Sequence, residues 1–324
     1  MFEKYSNNPV VPRTPDTFYA KYAANPDILE FKDKVFFYFR GQDFNNHDQM
    51  GVFVGDKDSF DGINWKYRHN VPILKVNENP EAYDSNHILD PAAIVIDDKV
   101  YLYYSSHSII HPHSVSLAIS EDGINFTKYD KNPLVENAVV PEVLIKDGKV
   151  HLFYQRWTAG SKGVSNFYMN TSDDGINFDL KNEVMVSSPD ADSQSISTNR
   201  IFYENGVYYS FFGNNKRFKD YPETIRIARS TDLLKWEKSP IDVIKRGQPG
   251  SWDEGALWFA TVYKDKNTYY LWYEGTGTGN GRKTPKDIEE SDACVNQSYG
   301  GYGKFSFSQI GMATYNKKLE DFFK

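Results

Sequence analysis

An all-β fold, a five-bladed β-propeller, is predicted by three observations in the sequence. A phrase built from a short β-prone run, a charged or glycine turn and an aromatic-rich run occurs five times, at 28–39, 94–104, 143–154, 201–212 and 261–273. In the first four units a second marker ends in a ring residue, and the spacings of 61, 52 and 58 residues between Trp65, Phe126, Phe178 and Trp236 leave room for four short strands in each. A proline-bearing third marker closes the unit.

The elements follow in order. Alternation in Val100-Tyr101-Leu102-Tyr103-Tyr104 and Val150-His151-Leu152-Phe153-Tyr154 suits strands packed on two faces better than helices. Glu121-Asp122-Gly123 and Asp173-Asp174-Gly175 read as tight turns in which glycine supplies positive φ. Val71-Pro72-Ile73-Leu74, Asn132-Pro133-Leu134-Val135 and Ser239-Pro240-Ile241 read as outer strands, where a missing N–H costs least. Another copy of that marker, Asn8-Pro9-Val10-Val11, stands at the wrong end of the chain. It predicts that the N-terminal strand closes the last blade beside residues 309–313, so that neither end is dispensable. The whole of 1–324 reads as one propeller domain, because no unrepeated block is large enough for a jelly roll; residues 276–304 read equally as a long functional loop of the fifth unit or as a disordered excursion.

Composition narrows the classes of partner. Aromatic residues make up 16% of the chain, which favours β-structure and also suits stacking on carbohydrate, although most such rings belong to a sheet core. A formal charge of -7 argues against nucleic acid, which requires a basic surface. The single Cys294 allows no internal disulfide, and no run of eighteen apolar residues spans a membrane. The default location is therefore cytoplasmic; removal of a signal peptide would make it periplasmic or secreted. Oligomeric state is not legible.

In a propeller the first strand of each blade lines the central channel, so its entrance residues converge. Here the entrances are Ala24-Asn25-Pro26-Asp27, Leu89-Asp90-Pro91-Ala92, Val140-Pro141-Glu142, Ser197-Thr198-Asn199-Arg200 and Trp252-Asp253-Glu254-Gly255. Aligning the turns sets Asn25 opposite Asp90, and Asp27 opposite Glu142 and Arg200. Carboxylates gathered from separate blades beside an arginine can acquire unequal proton affinities, the division of labour that glycosidic bond cleavage needs. Taken singly, an aspartate before a strand is more often a turn cap.

These motifs, with Asn8-Pro9-Val10 and Tyr269-Tyr270-Leu271-Trp272-Tyr273, resemble the furanosidase-like five-bladed glycoside hydrolases, the superfamily of families 43, 32, 68, 117 and 130. The resemblance implies a glycoside hydrolase acting on a terminal bond of a small glycoside or oligosaccharide, with inversion. By likeness to family 43, Asp27 is the base, Asp90 the orienting and tuning residue, and Glu142 the acid. Asn25 stands where that family's Ala-Asp-Pro motif carries its aspartate, and an asparagine cannot be the base. Glu254 is the rival acid, with a rim cap as its structural alternative, and Trp252 and Trp258 beside it suit stacking on a sugar. A carboxylate separation of about 6.5–9.5 Å would fit inversion and about 5 Å a covalent route.

Arg40, His47, His107, Arg156, Trp157 and Arg200 are the further substrate-binding candidates, with Trp157 as a platform; His47-Asp48-Gln49 resembles a histidine motif of family 117. No cofactor is required, and no metal ligand is assigned: HExxH, glycine-rich phosphate loops and His/Cys groupings are absent, and calcium in the channel is the one structural ion the resemblance allows. Two alternatives stay open. Phosphorolysis as in family 130 would use Arg40, Arg156 and Arg200 to hold phosphate, and a degenerate site would leave a sugar-binding propeller.

Overall fold

The computed structural model describes residues 1–157, 165–186, 195–215, 222–277 and 307–324. Residues 278–304 of the long irregular segment, Cys294 and the side chain of Trp157 lie outside the described residues. The chain is an all-β five-bladed propeller. The N-terminal strand β1 (Glu3–Lys4) belongs to the last blade. Blade I holds β2 (Tyr22–Phe31), β3 (Lys34–Gln42), β4 (Asp48–Asp56) and β5 (Tyr67–Arg68). Blade II holds β6 (His87–Ile96), β7 (Lys99–His107), β8 (Ser114–Ser120), β9 (Thr127–Lys128) and β10 (Val135–Glu136). Blade III holds β11 (Val139–Lys146), β12 (Lys149–Trp157), β13 (Ser165–Ser172) and β14 (Val184–Val186). Blade IV holds β15 (Ser195–Glu204), β16 (Val207–Asn215), β17 (Thr224–Ser230), β18 (Glu237–Lys238) and β19 (Ile244–Lys245). Blade V holds β20 (Ala256–Asp265), β21 (Thr268–Gly277) and β22 (Phe307–Tyr315), with β1 at its edge.

Two compact units divide the chain: Asp16–Tyr19 with Asn25–Ser188, and Met1–Pro15 with Ala20–Ala24 and Pro189–Lys324. The first carries blades II and III and nearly all of blade I; the second carries blades IV and V. Among the described residues no helix is long and apolar enough to cross a membrane.

The five-fold phrase is a β-hairpin. In four of the five copies the turn places two consecutive residues at positive φ: Lys32 and Asp33, Asp97 and Asp98, Asp147 and Gly148, Asn205 and Gly206. That is the geometry of a two-residue type I′ connection, whose twist matches the flanking strands. The aromatic runs then form the core of the first unit: Phe36 and Tyr38 of blade I pack with Leu102 and Tyr104 of blade II. In the second unit Tyr209 and Phe211 of blade IV pack with Leu271 and Tyr273 of blade V. Glycine at the second marker has a steric reason. Gly123, at φ 78°, would bring a Cβ to 2.7 Å from a Phe36 ring carbon, while its carbonyl accepts the Tyr38 hydroxyl at 2.9 Å.

The proline marker explains why the outer strands come in short pieces. In blade II, β9 and β10 both pair with β8 and straddle Pro133. There the Asn132 side chain replaces the interrupted ladder, accepting from the Leu117 N–H at 2.9 Å and donating to the Leu117 carbonyl at 2.8 Å. Asn8 does the same to Met312 in blade V, with both contacts at 2.8 Å. β1 pairs with β22, a Val11–Ile310 bridge follows Pro9, and Lys4 meets Asp253 at 2.5 Å. The N-terminus therefore supplies the outer edge of the last blade, as its sequence predicts.

Deleting residues 1–11 exposes the surfaces that the buried Phe2, Val10 and Val11 cover. At about 1.5–3 kcal/mol for each side chain, the loss is roughly 5 kcal/mol or more. The expected result is a thermal midpoint lower by about 10 °C or more in scanning calorimetry; an unchanged midpoint would show that the strand is dispensable.

Candidate active site

The entrances of blades II and III share one backbone device. On β6 the pairing register slips between Leu89 and Ala92, and on β11 between Val139 and Glu142, so that Asp90-Pro91 and Val140-Pro141 are two-residue bulges. Asp90 and Val140 adopt φ 54° and 55°, and Asn25, also followed by proline, adopts 48°. Left-handed backbone at residues other than glycine concentrates where function over-determines local geometry. Counting from the left-handed residue before each proline aligns Asn25 with Asp90 and Asp27 with Glu142. On β15 the slip lies between Ile196 and Asn199. By alignment Asn199 therefore holds in its own blade the strand position that Glu142 holds in blade III, one residue before the Arg200 that the turn alignment selects, because this bulge carries no proline to mark it.

Asp27, Asp90 and Glu142 all lie in the first unit and are buried, at 7%, 6% and 6% exposure. The Ala93 N–H of blade II donates to Asp27 Oδ2 at 2.8 Å, so the neighbouring inner strand fixes this carboxylate. Asp90 Oδ2 accepts from Ser105 Oγ at 2.7 Å, and Ser105 Oγ accepts from the Val140 N–H at 2.8 Å. Two blades thus orient the carboxylate on β6 through one hydroxyl. Burial, with Asp27 and Asp122 nearby, pushes the Tyr38 phenol well up, leaving it a neutral donor.

Arg40 and Arg156 are committed to protein carboxylates. Arg40 donates from Nε to Asp48 Oδ1 at 2.6 Å and from Nη1 to Asn25 Oδ1 at 3.1 Å. Arg156 pairs with Glu183 at 2.8 Å and donates to the carbonyl of Glu136 at 2.7 Å. Asp48 is fully buried. Burial alone would raise its carboxyl, but the Arg40 charge and the His87 hydrogen bond and charge outweigh it and hold it at about 2.

His47 and His107 are brought together through Asn86. His47 Nδ1 lies 2.9 Å from the Asn86 carbonyl, and His107 Nδ1 lies 3.3 Å from the Asn86 side-chain amide. Burial first, then the charges of His113 and His87, press the His107 imidazole down to about 3, so it is neutral. Sequence reasoning missed Asp48, His87 and His113. The available signal was register: His87 opens the strand bearing Asp90 and pairs directly with His107.

In the second unit Arg200 is buried with its guanidinium 5.2 Å from the Phe259 ring centroid. Glu254 Oε2 accepts the Gly250 N–H at 2.7 Å, the local cap contact that is the structural alternative to an acid. Trp252 stacks on Tyr273 at 5.7 Å, and Trp258 is only 1% exposed. Among the described residues no group of three His, Cys, Asp or Glu side chains is arranged to hold a metal ion.

Fold and sequence together define a carbohydrate-active enzyme of the five-bladed superfamily that includes families 43 and 130, acting on glycosides as a hydrolase or a phosphorylase. Residues 4–205 match glycoside hydrolase family 130, described as β-1,4-mannooligosaccharide phosphorylase, and the chain belongs to that family. No curated protein matches the sequence. Among solved structures, an N-acetylgalactosamine deacetylase from F. plautii, in complex with blood group B trisaccharide, is similar with TM-score 0.72 and 14% identity over 99% of this chain and 97% of its own. The β-1,2-mannobiose phosphorylase of Listeria innocua, in complex with β-1,2-mannobiose, gives 0.68 and 12% over 99% and 98%. A thermostable family-43 glycoside hydrolase gives 0.66 and 15% over 95% and 94%. At these identities the likeness is one of fold.

Proposed function

We propose that the protein hydrolyses a terminal glycosidic bond of a small β-mannoside or oligosaccharide, with inversion, using Asp27 as base, Asp90 as orienting carboxylate and Glu142 as acid. One observation carries this reading: three buried carboxylates stand at or two residues after the left-handed, proline-preceding residues of consecutive blades, Asp27 fixed by an N–H of the neighbouring blade and Asp90 by a serine hydroxyl that the next blade in turn holds. Glu142 protonates the glycosidic oxygen as the bond to the anomeric carbon breaks. Asp27 takes a proton from the water that attacks the opposite face, and the product leaves with inverted configuration. The mannoside configuration rests on family membership.

Phosphorolysis is the second reading, favoured by Asn25 and by the family's description. Phosphate is already an anionic nucleophile and needs no protein base, so an asparagine at the first entrance would be no handicap. Against it, Arg40 and Arg156, two of the three cations that could hold phosphate, are occupied by Asp48 and Glu183.

Incubating β-1,4-mannobiose and β-1,2-mannobiose with and without inorganic phosphate separates the two. Hydrolysis gives free mannose in both buffers, first appearing by NMR as the α-anomer. Mannose 1-phosphate formed only with phosphate present would replace the first reading with the second.

A further inference from the structure

Four of the seven histidines gather on blades I and II of the first unit. Ring centroids are 6.5 Å apart for His47 and His87, 5.3 Å for His87 and His107, and 4.5 Å for His107 and His113. Their hydrogen bonds determine where the protons sit. His87 Nδ1 lies 2.7 Å from Asp48 Oδ2. Asp48 is ionised at any working pH, so the proton in that contact belongs to His87 Nδ1. The longer approach of the Asp48 N–H to the same nitrogen, 3.3 Å, then adds no hydrogen bond. In the uncharged ring Nε2 of His87 then carries the lone pair, and no described residue donates to it, although the residue is 4% exposed. His47 is set the same way: Nδ1–H donates to the Asn86 carbonyl, and in the uncharged ring Nε2 is the acceptor.

Neutral imidazole lone pairs beside a buried carboxylate repel anions and welcome O–H donors. We propose that His87 Nε2, with His47 Nε2 beside it, is a hydroxyl-reading subsite that accepts hydrogen bonds from a neutral sugar ring, and that Asp48 is the positioning residue that sets its tautomer. The subsite is braced against the blade I entrance, because Arg40 spans from Asp48 to Asn25, two residues before Asp27. This deepens the proposed function and rests on its ligand being a glycoside.

The test is nitrogen-15 NMR of the histidines in the full chain, with titration of methyl glycosides of manno, gluco, galacto, xylo and arabinofuranosyl configuration. His87 is expected as the Nδ1–H tautomer, with its Nε2 resonance moving on binding of at least one of them. His87→Phe should weaken that glycoside at least about tenfold, and His87→Gln, whose amide oxygen can still accept, should weaken it less. Circular dichroism checks that both variants fold, and Asp48→Asn offers a third route by disturbing the tautomer without removing the ring. A proton on Nε2, no movement of His87 with any glycoside, or unchanged affinity in His87→Phe would each overturn the subsite. Mannobiose turnover with a silent His87 would discard the subsite and leave the proposed function standing. A His87-dependent sugar that is bound but never cleaved would do the reverse.

Discussion

Asp27→Asn and Glu142→Gln each lower kcat/KM on mannobiose by about 10²–10⁴-fold, the usual contribution of a positioned acid or base. Both changes are isosteric. The asparagine oxygen at position 27 can still accept from the Ala93 N–H, so blade I stays docked on blade II and thermal midpoints move little. The two roles are separable by substrate. An aryl mannoside with a leaving group that needs no protonation restores turnover to Glu142→Gln and leaves Asp27→Asn impaired. Azide, a nucleophile with no proton to lose, rescues an Asp27→Ala variant and releases the glycosyl azide. Asp90→Asn keeps an acceptor for Ser105 and loses less. Undiminished turnover in both Asp27→Asn and Glu142→Gln would remove these carboxylates from the chemistry and return Glu254 to consideration.

The parts of this molecule that were legible in its sequence are those written locally. Hairpin turns need two left-handed residues in a row, and Lys32-Asp33, Asp97-Asp98 and Asn205-Gly206 announce them. The closing strand was legible because Asn8-Pro9 and Asn132-Pro133 do the same work, an amide side chain standing in for an interrupted ladder. Prolines at 26, 91 and 141 each follow a left-handed residue and so mark three entrances, whereas the bulge of blade IV carries none and lies one residue away from the turn alignment. What stayed hidden was commitment. Arg40 and Arg156 look like free ligands for a substrate because Asp48 is reached across a hairpin and Glu183 lies twenty-seven residues away, with no pattern joining them. His87 and Asp48 are thirty-nine residues apart on different blades, and only the fold makes them a pair.

Replacing Asp48 by alanine is expected to cost about 3–5 kcal/mol, because it leaves the buried Arg40 guanidinium without its counter-charge. It also strands the donors of Gln42, 3.1 Å away, and His87. Urea unfolding at pH 7 measures the loss, and its pH dependence identifies the cause. The folded carboxyl is held at about 2, below the ordinary 3.8 of an unfolded aspartate, so folding favours the ionised form. A depressed value stabilises fully above about pH 4, and that contribution is lost as pH falls from there through about 2. Unfolding midpoints of wild type and Asp48→Ala should therefore lie furthest apart at neutral pH and converge on acidification below pH 4. Asp48→Asn, which keeps the shape and an acceptor but not the charge, should fall between them and show a flatter acid limb than wild type. Curves for Asp48→Ala and wild type that run parallel down to pH 3 and below would mean that lost packing, and not the buried charge, accounts for the difference.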